Sequence, residues 1–335
     1  MKRSWKEKDV TQAFFPVAMK PVFIQTSEGR KDLFDHTAYK QLPRHQAVVD
    51  TDKGLTFAVV TDSYRLITNR EAYNLAADAM QTVFKMTSMK DMQCLNVTMP
   101  KTRSFCHIDL IHKGSDFEPW EEDRWTPFVR ITNSYNRTHR LRFEIGFCRW
   151  ICLNGVIFGS KSVEISFAHT RQLENAMKRW EENLAGIHEL ERLFVSQLRN
   201  LQRYHVPAKW ILPLACKVFG VQLKSDDEIK SKRAEELVKF RNAIADLASD
   251  YFVKMGEHGY AALNVLSDYA SRPVGVMAPE TKIDSYQHKT GEWIMDFIEQ
   301  IEQRNFTFEA YLADYLDTAK QIAELKPERR SSTGG

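Results

Sequence analysis

Between Trp125 and Ser160 five arginines (Arg130, Arg137, Arg140, Arg142 and Arg149) face a single acid, Glu144, with Phe128, Tyr135, Phe143, Phe147 and Trp150 threaded among them. Guanidinium groups neutralise phosphates and aromatic faces stack unpaired bases, which is the chemistry a single-stranded nucleic acid uses. The five arginines are therefore the candidate phosphate contacts, and Tyr135 and Trp150 the candidate stacking platforms. The competing reading is a solvated strand face over an ordinary core. Phe143 and Phe147 share parity with Leu141 and Ile145, so they belong to a buried row, and exposed charged rows are routine on half-buried strands.

Other chemistries find less purchase. Gly159-Ser160-Lys161-Ser162 resembles the end of a phosphate loop, with Gly155 upstream. But three residues rather than four separate the glycines, Ser160 intervenes before the lysine, and a strand rather than a helix follows. Cys148 and Cys152, with Cys106 and His107 nearby, suggest a metal site until the spacing is considered. Four residues along a strand carry side chains about 13 Å apart, too far to share one zinc. Asp50, Asp52 and Asp62 flank a hairpin and can in principle hold Mg²⁺, although acids in turns commonly bond the backbone instead. No HExxH, CxxC pair or nucleophile elbow occurs. The expectation is a protein with no catalytic residues, no cofactor and no metal.

The elements that would position these residues are read from periodicity. Residues 1–45 look irregular, broken by Pro16, Pro21 and Pro43. Strands are expected at Leu55–Val60 and Tyr64–Ile67, at Cys94–Met99 and Ser104–Ile111, at Phe128–Thr132 and His139–Cys152, and at Val163–Ala168. In the longest, Leu141, Phe143, Ile145 and Phe147 alternate with Arg140, Arg142, Glu144 and Gly146, placing an apolar row inward and a charged row outward. Thr68-Asn69-Arg70-Glu71 is a capping box opening a helix to about Phe84. From Leu173 to Leu201 apolar residues recur every three or four positions, an amphipathic helix of eight or nine turns suited to a helical hairpin or an arm for association. Further helices are expected at Asp226–Met255, Gly259–Ala270, Gly291–Glu302 and Thr307–Leu325. The fold class is α+β: a mixed, mainly antiparallel β-sheet domain (46–169) followed by a helical domain (170–325), after an irregular segment (1–45) and before a disordered tail (326–335).

Composition sets the bounds. Of 335 residues 43% are hydrophobic and 27% charged, an ordinary soluble balance. Net charge is +3 overall. It divides unevenly, with 24 Lys+Arg against 19 Asp+Glu through residue 169 and 23 against 25 beyond it. A polyanion site is therefore expected in the first half. Five cysteines, an odd number, and an N-terminus without an apolar stretch argue for reduced thiols in a cytoplasm. No apolar run approaches the ~20 residues of a membrane span.

Three segments together resemble the phage- and plasmid-encoded family called domain of unknown function 932. Val59 through Ala72 is similar to that family's hairpin entering a helix. Ile131-Thr132-Asn133-Ser134-Tyr135 leading to Arg149-Trp150-Ile151-Cys152-Leu153-Asn154-Gly155 is similar to its asparagine-serine turn and Arg-x-x-Cys-x-Asn signature. Gly259 through Tyr269 is similar to its late helix with an asparagine and a terminal acid-x-aromatic pair. The resemblance implies a mobile-element or phage gene working in a bacterial host cytoplasm and supplies no catalytic residues. With the arginines, it leads to an expectation of a non-enzymatic protein binding single-stranded DNA or RNA in phage or plasmid DNA metabolism, by analogy with single-strand annealing proteins of the Redβ kind, and forming a homo-oligomer. The alternatives are a module that redirects a host protein and, third, a metal-dependent nuclease. No membrane partner is expected.

Overall fold

A computed structural model describes residues 6–26, 38–86, 88–158, 165–167, 173–223 and 231–326. A three-stranded antiparallel sheet comes first: β1 (Val17–Thr26), β2 (Ala38–Asp50) and β3 (Leu55–Thr61) in that spatial order. The segment expected to be irregular thus supplies two strands. Its prolines are absorbed by position. Pro21 sits where the β1–β2 register shifts, and Pro43 lies in the stretch of β2 that the same shift leaves unpaired. A residue without an N–H is tolerated at such bulges. Because β2 pairs with β3, Tyr64–Ile67 is not a strand as expected but the lead-in to α1 (Asn69–Val83). Thr68 caps that helix, its hydroxyl accepting from the Glu71 amide at 3.1 Å. The reciprocal half of the box does not form, since Glu71 accepts from Arg65 at 2.7 Å.

The second sheet has seven antiparallel strands. Its main path is β10 (Ile165–Phe167), β8 (Leu141–Arg149), β7 (Asp123–Ser134), β5 (Phe105–His112) and β4 (Met92–Thr98). β6 (Phe117–Trp120) pairs with β7, and β9 (Asn154–Ile157) with β8. Two of the expected hairpins, Cys94–Met99 with Ser104–Ile111 and Phe128–Thr132 with His139–Cys152, are in it. Gly159–Ser162 lies outside the described residues, as do the ends of the expected Val163–Ala168 strand.

One face of this sheet is apolar. Ile108, Leu110, Val129, Ile131, Phe143 and Ile145 pack against Ala72, Ala76 and Met80 of α1 and against Trp180 and Leu184 of α2 (Leu173–Ala185). The amphipathic pattern of 173–201 is real, but it runs as two helices meeting at Gly186: α2, then α3 (Ile187–Arg203). Neither is a free arm. Trp180 stacks on Phe143 at 5.6 Å between ring centroids and Phe194 of α3 stacks on Phe147 at 4.3 Å, so the pair lies along the apolar row of β8.

The rest is helical: α4 (Ile211–Phe219), α5 (Ser231–Met255), α6 (Gly259–Ser271), α7 (Ile283–Ile301), α8 (Phe308–Tyr311) and α9 (Ala313–Glu324). The largest core joins both halves, with Trp125, Phe147, Val156 and Phe158 of the β-rich half against Phe194, Leu198, Leu263 and Ile294. α6 is buried along its length. α7 begins eight residues before the expected Gly291, and Gly291 itself explains its closeness to the sheet: a Cβ there would overlap the Ile157 carbonyl oxygen. This is an α+β fold. Among the described residues no helix is long and apolar enough to cross a membrane. Residues 327–335, expected as a tail, lie outside the described set.

Candidate functional site

The second face of the seven-stranded sheet is polar, and register builds it. Asp109, Arg130 and Glu144 are cross-strand partners on β5, β7 and β8, as are His107, Thr132 and Arg142 one step along. α7 lays Asp284 and His288, one turn apart, onto these rows. Arg130 holds Asp109 in a two-point bond at 2.7 and 2.8 Å and reaches Asp284 at 3.2 Å. Arg142 meets Glu144 at 2.7 Å and Asp284 at 2.6 Å. His288 Nε2 lies 2.6 Å from Glu144 and 3.9 Å from Asp284.

Burial opposes a charge on His288, but the bond to Glu144 and the Glu144 and Asp284 carboxylates outweigh it and raise its pKa. Burial likewise opposes ionisation of Asp284, yet the field of His107, Arg130, Arg142 and His288 holds its carboxyl well below the usual range. Arg130, Arg142 and His288 thus face Asp109, Glu144 and Asp284 in one network. Glu144, Asp284 and His288 offer ligand atoms within 4.8 Å of one another, the spacing of a metal site. A cation there would have to sit beside two guanidinium groups already bound to the same carboxylates. The donor set fits a closed ion network better than a metal.

Five of the seven residues expected to contact nucleic acid are removed from any exposed track, which corrects the expectation of an outward row. Arg130 is 1% exposed beneath α7. Arg142 is partly covered in the same network. Arg149 is buried, its Nε 2.6 Å from Asp123 and its Nη1 2.8 Å from Asn264 of α6. Tyr135 is buried, its hydroxyl accepting from the Asn69 amide at 2.8 Å. Trp150 is half-buried, donating to Asp116 at 3.0 Å beneath the Arg124 guanidinium. Only Arg137, at φ +64° in the β7–β8 turn, and Arg140 are exposed. For Arg130 and Arg142 the physical reason is coverage, since α7 closes over the polar face; Arg149 shares the face of Phe147 and meets Asn264 of α6, and Tyr135 stacks on Phe57 of β3.

The residues that carried the family resemblance are the joints of this closure. Asn69 donates to the Ala13 carbonyl and accepts from Asn133, which also donates to the Ile67 carbonyl, all near 3.0 Å. Asn154 of β9 accepts from Arg272, which also binds Asp268 and the Cys152 carbonyl, while Tyr251 donates to Asp268 at 2.8 Å. Tyr260 and Arg149 share Asp123. The five cysteines are buried and unpaired, and burial pushes the thiols of Cys94 and Cys216 up to about 12. Asp50 accepts from the Asp52 and Lys53 amides at 3.0 and 3.1 Å and pairs with Arg103, so this acid organises a turn.

Two cavities open beside these joints. One, of about 370 Å³, lies between the polar sheet face and the α6–α7 junction, with Phe128, Leu153 and Ile283 as apolar wall and Lys6, Lys8 and Gln287 as polar groups. The other, of about 490 Å³, lies within the helical half. Arg233, Lys282 and Lys289 stand around it against one acid, Glu236, which pairs with Arg233 at 3.3 Å. Its floor is aromatic: Phe219 lies 4.7 Å from Tyr286 and 4.9 Å from Tyr269. Gly275 lines it at φ +70°, where a Cβ would overlap the Glu236 carbonyl oxygen, so the loop closes against α5 only with a glycine. The sequence holds no local signal for this second cavity, because its parts come from four separate elements.

An antiparallel sheet whose polar face is sealed by a helical half defines the architectural class. Within it the chain belongs to the family described as Domain of unknown function (DUF932), whose model matches residues 56–289. Neither the comparison with curated proteins nor that with solved structures returned a match. The analogy to Redβ-type annealing proteins accordingly gains no support.

Proposed function

We propose that this is a non-enzymatic, single-stranded nucleic-acid-binding protein of phage or plasmid DNA metabolism, acting in the cytoplasm of a bacterial host. It grips the strand at the helical cleft and not along the β7–β8 arginines. The observation that carries this reading is the surplus of cations over an aromatic floor: Arg233, Lys282 and Lys289 against Glu236, above Phe219, Tyr269 and Tyr286. A strand's phosphates need the first, and a base laid against the cavity wall uses the second. Fluorescence anisotropy of labelled oligo-dT and oligo-rU, stepped through increasing salt, tests it. Affinity falls steeply with salt, and Lys282→Ala with Lys289→Ala lowers both affinity and the salt slope, by about 0.7 for each phosphate no longer neutralised. Binding that ignores salt, or a double variant that binds as the unaltered protein does, overturns it.

A second reading, a module that engages a host protein or a second copy, is favoured by the three-stranded sheet. Phe23, Ile24, Tyr39, Leu55 and Val59 are all at least 40% exposed there.

A further inference from the structure

The cavity between the polar sheet face and the α6–α7 junction carries an inference independent of the strand-binding cleft. Gln287, 4% exposed, lines it. Its Nε2 donates to Ser271 Oγ at 3.1 Å, and that oxygen also accepts from the Gly155 amide at 3.0 Å. The amide is thus held from one end, and its Oε1 is buried with no hydrogen-bond partner. A buried acceptor without a donor in the wall of a cavity calls for a donor on whatever enters. Around it Phe128, Leu153 and Ile283 offer flat and branched apolar surface.

The charge at the mouth comes from two lysines. Lys8 donates its amide to the Cys94 carbonyl at 3.0 Å, which ties the N-terminal segment alongside β4. Lys6 and Lys8 both line the cavity, whereas Glu7 between them accepts from Gln93 at 3.2 Å. Arg272 also lines the wall, but its guanidinium is committed to Asp268, Asn154 and the Cys152 carbonyl, and Asp109 is committed to Arg130. Two lysines at the mouth, with Glu7 engaged by Gln93, match a dianion better than a single carboxylate, and a phosphate monoester carries about −1.5 to −2 at neutral pH.

We propose that this cavity binds a nucleoside monophosphate, with the base against Phe128, Leu153 and Ile283, a base N–H donating to Gln287 Oε1, and the phosphate held by Lys6 and Lys8. Its volume, about 370 Å³, is in the range of small-molecule sites.

Titration calorimetry of the full chain with the four 5′-ribonucleoside monophosphates, the matching nucleosides and orthophosphate tests it. At least one monophosphate binds saturably and at least about tenfold more tightly than its nucleoside or orthophosphate. Lys6→Ala with Lys8→Ala, a surface change, removes the advantage over the nucleoside. Gln287→Leu weakens the monophosphate while leaving orthophosphate unchanged. Failure of every monophosphate to bind at millimolar concentration overturns the inference, as does binding no tighter than orthophosphate or a lysine variant that binds as before. Lys282→Ala with Lys289→Ala should leave this affinity intact. If that variant abolishes it, the nucleotide sits in the helical cleft: the inference falls and the strand-binding reading stands.

Discussion

The two faces of the seven-stranded sheet are made by the same strands and packed by different physics. On one, Ile108, Val129, Ile131, Phe143 and Ile145 meet α1 and α2 through apolar contact alone. On the other, Asp109, Arg130, Arg142 and Glu144 meet α7 through Asp284 and His288. Burial of the first face is favourable in proportion to its area. Burial of the second strips water from six ionisable groups and recovers that cost only if every group keeps its partner. The first face tolerates loss locally; the second responds as a unit.

The largest expected effect separates the two. Arg130→Met leaves Asp109 facing no cation and should cost about 3–5 kcal/mol. Asp109→Leu combined with Arg130→Met removes the pair and leaves Arg142 and His288 balancing Glu144 and Asp284, so the double variant should be more stable than the single. On the apolar face Phe143→Ala should also cost about 3–5 kcal/mol, from the cavity left under Trp180, with no neutralising second change available. Urea denaturation midpoints decide it. If the two polar-face changes simply add, the network is not coupled through charge.

A smaller effect sharpens the same contrast by pH. His107 is buried against Thr132 at 2.8 Å, and burial pushes its pKa down to about 3. The unfolded chain binds that proton near pH 6.5 and the folded one does not, so stability is lost as pH falls from about 6.5 towards 3, by at most ~1.4 kcal/mol per unit. His288 works in the opposite sense, because its folded pKa is raised. Its contribution is complete below about 6.5 and disappears as pH rises through the folded value. Thermal melting across pH 4–9 should therefore show a maximum between the two limbs. His107→Phe should flatten the acid limb and leave the other; an unchanged acid limb would show that His107 is not the group responsible.

Alternation places the side chains correctly and says nothing about what covers them. Arg142 and Glu144 do lie opposite Phe143 and Ile145, as the period of two requires, but that face is roofed by a helix more than a hundred residues further on. The inward turn of Arg149 is legible in the strand pattern itself, since it shares parity with Ile145 and Phe147. The two hairpins of the larger sheet and most helices are legible because each needs only local periodicity. β1 and β2 are hidden by prolines that a bulge accommodates, and the break between α2 and α3 by a glycine inside an unbroken apolar stripe. Both cavities are illegible, because their linings join segments distant in sequence: Lys6 with Gln287 in one, Phe219 with Lys282 in the other.

The smallest expected effect concerns the two arginines that remain outside. Arg137 and Arg140 stand on the β7–β8 turn and strand entry, away from the buried rows, so Arg137→Ala with Arg140→Ala should leave stability within about 0.5 kcal/mol. Their charge is nonetheless on the β-rich half, where the sequence has its cation excess. If the strand binds only at the helical cleft, the double variant keeps the salt slope of the unaltered protein. If it also crosses the β7–β8 turn, the slope falls by about 1.4, from two phosphates at about 0.7 each. Anisotropy titrations on the two double variants side by side measure how far along the molecule a bound strand extends. A weakening at Arg137 and Arg140 with none at Lys282 and Lys289 would return the binding surface to the turn.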